Sequence, residues 1–176
     1  MLVQIVKRAD GGGVLRCTRD DGSVTWQKQG RHAPFFALHD LTHFAVEITL
    51  GFRRGFFGLM AEGWDVEDTT GKGQRGPLPE EAGQVERIVG LFDAERASGV
   101  IWTVEEFNEH ATRKLTPEEI AKVKAKRSEL FQRWFDLSPD ETLELTYPVP
   151  VGTVANRRQV ANPPTKTIKN PSKGNR

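Results

Sequence analysis

The chain is poor in residues that would cross-link it or carry it through a membrane. Cys17 is its only cysteine among 176 residues. A single thiol makes no internal disulfide and no cysteine-rich zinc site, and the cytoplasm is the expected compartment. No apolar run approaches the ~20 residues that cross a bilayer. Met1 to Asp10 alternates apolar and polar residues without a continuous apolar stretch, so no signal peptide is expected there and no membrane partner. Net charge is also nearly absent, at +1, but it is unevenly placed. Between Asn156 and Arg176 lie Arg157, Arg158, Lys166, Lys169, Lys173 and Arg176 and no acidic residue, which leaves 19 basic against 24 acidic residues in the rest. This tail holds Pro163, Pro164 and Pro171 and no aromatic residue. It reads as a disordered basic extension over 156–176. Without aromatics to stack on bases, its contact with nucleic acid would be weak and electrostatic.

What is present suits one globular domain over residues 1–155: 37% apolar residues, with 10 Phe and 4 Trp. Leu2 to Lys7 alternates like a strand. Val14 to Arg19 and Ser23 to Lys28 flank Asp21-Gly22, a pair suited to a two-residue hairpin turn that would set Cys17 opposite Trp26. From Pro34 the period becomes helical. His39 to Leu50 places Leu41, Phe44, Ala45 and Ile48 on one stripe, closed by Gly51. Phe56 to Ala61 reads as a buried short helix, and Asp65 to Leu78, with its glycines, as a flexible loop. Pro79-Glu80-Glu81 starts a helix with Val85, Ile88, Val89 and Phe92 inward and Gly99 at its end; Val100 to Trp102 would be extended. Thr103 with Glu106 forms a capping box for a helix to Thr112. Thr116-Pro117-Glu118-Glu119 opens a longer helix to about Asp136, with Ile120, Val123, Leu130, Phe131 and Trp134 inward. Thr142 to Tyr147 alternates again. The predicted class is therefore α+β: a small N-terminal antiparallel β-meander packed on several helices, with one further strand near the C-terminus.

Chemistry concentrates in His39-Asp40-Leu41-Thr42-His43. Residues four apart on a helix share a face about 6 Å apart along the axis, so both imidazoles can reach one ion. A divalent metal, zinc first, is the expected cofactor, in a metal-dependent hydrolase where Asp40 is the general base. A third ligand is required. Glu47 continues the same face, and Glu62 lies beyond the Gly51 to Gly55 turn, where a returning helix would aim it at the pair. His32, Asp65 and His110 are further candidates. The bland alternative makes Asp40 a first-turn carboxylate, His39 a cap and His43 a packing residue in a non-catalytic interaction module. Arg53 and Arg54 read either as an anion site or as a solvated pair at a helix end.

The segment from His39 to Glu47, followed by Leu50-Gly51-Phe52-Arg53-Arg54-Gly55-Phe56-Phe57-Gly58, resembles a group of small bacterial proteins of unassigned function. They share a His-Asp-x-x-His-Phe stretch followed by a Gly-aromatic-Gly stretch, over about 25 residues. The helix is also similar to that of zinc proteases, with Asp40 where they carry Glu. His39-Asp40 resembles the dyad of the His-Asp metal phosphohydrolases, an all-helical family that adds a separate upstream His and downstream Asp.

Overall fold

A computed structural model describes residues 1–30, 33–71, 73 and 75–148. The expected basic tail, 156–176, and His32 lie outside the described residues. Four strands form one antiparallel sheet: β1 (Leu2–Lys7), β2 (Gly13–Thr18), β3 (Val24–Gln29) and β4 (Thr142–Thr146), in the order β3-β2-β1-β4. Val3, Ile5, Leu15, Cys17, Leu143 and Leu145 alternate onto one face and are buried there. The α+β class with an N-terminal meander and a late fourth strand is the one expected.

The hairpin register differs from expectation by one residue. Cys17 faces Thr25, and Trp26 faces Arg16. Arg19 N–H bonds the Ser23 carbonyl and Gly22 N–H the Arg19 carbonyl, so the loop is Asp20-Asp21-Gly22, with Gly22 at φ 80°. This three-residue loop, closed by a glycine in the left-handed region, shifts every pairing by one and exchanges the two faces. Thr25 turns inward and Trp26 is 63% exposed.

The described residues also form six helices, which pack against the inner face of the sheet and against one another. α1 (Ala33–Leu50) starts six residues before the expected His39 and ends at Gly51, φ 74°. His39 and Asp40 therefore stand within the helix, neither capping it nor lining its first turn. α2 (Phe56–Ala61) is as predicted. The expected loop after Asp65 contains a further short helix, α3 (Val66–Thr69), nucleated by reciprocal bonds between Asp65 and Asp68. α4 (Glu80–Ser98) is closed by Gly99 at φ 69°. The expected extended piece after it, Val100 to Trp102, joins no strand. α5 (Val104–Glu109) is shorter than predicted, and α6 (Pro117–Phe135) keeps its capping box. Of the residues predicted inward on α6, Ile120, Val123, Leu130 and Trp134 are buried and Phe131 is half-buried.

α1 is the central element. On its sheet side Ala37, Leu41, Phe44 and Ala45 join β1, β2, β4 and Trp134 in one apolar cluster. On the other side Val46 joins Val85, Val89 and Phe92 of α4 and Ile120 and Val123 of α6 in a second. A helix between two cores must be buried nearly all round. Every residue from Asp40 to Glu47 is at most 5% exposed.

Candidate metal centre

That buried stretch carries three ionisable groups, Asp40, His43 and Glu47. A buried charge is costly unless it is paired and hydrogen-bonded, so each must find partners on a neighbouring element. The partners differ. Asp40 Oδ2 accepts from Gln29 Nε2 of β3 at 2.6 Å. Burial pushes its carboxyl up to about 6, against the opposing influence of His43, Gln29 and His39. That value suits a general base near neutrality, but one oxygen is committed to the sheet.

His39 and His43 lie as the spacing predicts, ring centroids 4.8 Å apart and nearly perpendicular. α4 runs alongside and adds two carboxylates. Asp93 Oδ2 is 2.7 Å from His39 Nδ1, and Glu86 Oε1 is 3.3 Å from His43 Nε2. Ligand atoms of His39, His43 and Glu86 all fall within 4.8 Å of one another. Around a tetrahedral ion with bonds of about 2.0–2.2 Å, ligand atoms are about 3.3–3.5 Å apart, so the cluster would have to close by roughly 1 Å to hold an ion. The donor set, two imidazoles and a carboxylate, suits zinc and several other divalent metals. Asp93 supplies the second carboxylate that holds an imidazole by its far nitrogen and fixes its tautomer.

Electrostatics support the pairing. Burial works against a charged His43, but its contacts with Glu47 and Glu86 outweigh it and lift the imidazole to about 9. Burial likewise opposes the charge on Glu86 and Asp93. The imidazoles beside them, with Arg96 beside Asp93, nonetheless hold both carboxyls below the usual range. His43 Nδ1 is buried without a hydrogen bond, 3.6 Å from Glu47 Oε1.

The two carboxylates first considered as third ligands stand elsewhere. Glu47 Oε1 accepts Phe57 N–H at 3.1 Å, and Oε2 accepts Gly58 N–H and the Tyr147 hydroxyl, each at 3.0 Å. It serves as the cap that Gly55, lacking a side chain, cannot give α2. Glu62 pairs with Arg54 Nε at 3.1 Å. The backbone N–H groups of Arg53 and Arg54 both donate to Glu81 Oε1, so the anion at this turn is one of the chain's own carboxylates. Asp65 caps α3 and also lies 3.6 Å from buried Arg19; His110 ends α5 at the surface.

A cavity of about 530 Å³ opens between α1, α2 and the start of α4, lined by Glu47, Phe52, Arg53, Glu62 and Tyr147 among others. None of the three clustered residues lines it. Glu47 is the wall between the cavity and His43.

Sequence reasoning missed Glu86 and Asp93. Seven residues apart on α4, they flank its Val85, Ile88, Val89, Phe92 stripe on one side, which sets both against α1. Helical spacing could have placed them on one face. Only the pairing of α4 with α1 gives that face a partner. No protein family, curated protein or solved structure matches this chain.

Proposed function

We propose that the protein binds a divalent metal ion, zinc by preference, through His39, His43 and Glu86, with Asp93 orienting His39. The observation that carries this reading is the convergence of three ligand atoms from two helices within 4.8 Å, backed by the 2.7 Å Asp93 bond. Three protein ligands leave coordination positions open, the arrangement of catalytic rather than structural sites. A metal ion there would supply Lewis acidity, and hydrolysis is the reaction class it would serve. Asp40 is the base in that extension, and the cytoplasm the compartment. On this reading the stretch shared with the small bacterial proteins is half of the site, completed by α4.

The ion pairs of His43 favour a second reading. An imidazolium held between Glu47 and Glu86 needs no metal, and Trp26, exposed on edge strand β3, would then belong to an interaction surface. Metal analysis and calorimetry on untagged protein separate the two. The metal reading expects one ion per chain, affinity tighter than micromolar, and loss of binding in His43→Ala and Glu86→Gln. Retention of binding in both variants, or absence of binding in the wild type, refutes it. Asp40→Asn tests the hydrolytic extension: the ion should stay and turnover should go.

A further inference from the structure

We propose that the exogenous ligand of the His39–His43–Glu86 centre carries an uncharged donor group next to an aromatic or bulky apolar arm, seated against Phe35. This rests on the metal reading above and names the ligand class of the same site. Glu86 is 51% exposed and His39 30%, whereas His43 is 2%. The open positions therefore face solvent along the α1–α4 surface. On that side Phe35 stacks on the His39 ring, 8° from parallel with centroids 6.2 Å apart, while remaining 54% exposed. Phe36, 43% exposed, stands edge-on to Phe35 at 5.9 Å, and half-buried Phe56 lies against the His43 ring at 5.3 Å. The two imidazoles are thus flanked by aromatic rings, and Phe35 keeps an apolar surface in water that a ligand at the ion would cover.

Charge selects the donor group. The acidic side chains around the centre are Glu86, Asp93, Asp40 and Glu47. Among the described residues the cation beside them, Arg96, is bound to Asp93 at 3.4 Å and lies over the Phe35 ring. Together these four carboxylates outweigh the two charges of a divalent ion and repel an anionic ligand, and among the described residues Arg96 is already held by Asp93. A neutral carbonyl donor, as in an amide or ester, meets neither obstacle.

The test uses the full chain loaded with Co²⁺, whose visible spectrum reports each added ligand. Benzamide and acetamide, both uncharged carbonyl donors, differ only in the arm, and inorganic phosphate supplies the anion. The phenyl compound should bind about tenfold tighter than the methyl compound, as one aromatic contact provides, and phosphate should leave the spectrum unchanged. Phe35→Ala should equalise the two amides with Co²⁺ stoichiometry intact; Phe35→Leu should keep part of the preference. Equal binding by the wild type, an undiminished preference in Phe35→Ala, or tight phosphate binding overturns the ligand class and leaves the metal site standing. Failure of Co²⁺ to bind removes both.

Discussion

In the metal-free protein His43 should titrate near 9, well above the ordinary histidine value of about 6.5. Burial alone would lower it. Its reversal requires both Glu47, 3.6 Å from Nδ1, and Glu86, 3.3 Å from Nε2. Two consequences follow. A metal ion must displace this proton, so apparent affinity should rise about tenfold per pH unit up to about 9 and at pH 7 stand roughly 100-fold below its plateau. Without metal, the raised folded value makes the imidazolium a stabilising group. Its contribution, on the order of 3 kcal/mol, is fully present below about 6.5 and is lost as pH rises through about 9. Histidine NMR titration of the apo protein measures the pKa directly, calorimetric metal titrations from pH 6.5 to 9.5 give the slope, and denaturation over the same range gives the stability. Glu86→Gln removes one of the two partners and should bring the titration down. A His43 midpoint at or below 6.5 in the wild type, with metal affinity flat above pH 7, would show that burial dominates and refute the pairing.

Three further outcomes test the frame around the site. Trp134→Ala should cost about 3–5 kcal/mol in chemical denaturation, because the ring is 4% exposed between α6 and the sheet. Gly58→Ala would bring its Cβ to 2.0 Å from the Arg53 carbonyl oxygen and should cost about 3 kcal/mol or more, whereas Gly90→Ala, with open space around it in α4, should raise stability by about 0.5–1 kcal/mol in the same assay. Glu47→Ala strips the Phe57 and Gly58 N–H groups and the Tyr147 hydroxyl of their acceptor; a loss of about 3 kcal/mol or more is expected, and a thermal shift below a few degrees would show that water replaces the carboxylate.

How much of this was legible in the sequence depended on how local the determining interaction is. The capping boxes at Thr103 and Thr116 and the stops at Gly51 and Gly99 are decided within a few residues, and each appears where read. The hairpin was placed correctly, but its register turns on whether Asp20 joins the loop, a choice the Asp21-Gly22 pair leaves open. The start of α1 was missed because its first turns carry exposed Phe35 and Phe36 beside buried Ala37, apolar residues on more than one face that extend the helix without extending a stripe. At the site, the His39–His43 half is encoded by i, i+4 spacing and was visible. The α4 half is encoded by which helices pack together, and a single sequence does not state that.

The two parts of the segment from His39 to Gly58 touch. Gly55 admits the Glu47 side chain where a Cβ would lie 2.5 Å from its Cδ, and Gly58 admits the Arg53 carbonyl. The Gly-Phe-Phe-Gly turn is therefore the receptor for the carboxylate that ends the polar series on α1. Each member of that series ties the helix to a different layer: Asp40 to β3 through Gln29, His43 to α4 through Glu86, and Glu47 to α2 and to Tyr147 beyond β4. The Glu47 tie closes on three donors, as a buried charge in a structural role should, whereas Asp40 has one donor, from a Gln29 whose Oε1 is itself buried without a hydrogen bond. His43 Nδ1 is left without a hydrogen bond, and its other nitrogen meets a carboxylate that is half in water beside a second imidazole already held by its own carboxylate. An ion drawn between His39, His43 and Glu86 would take His43 through Nε2, the nitrogen that faces Glu86, and the half-exposed Glu86 side is where it would enter.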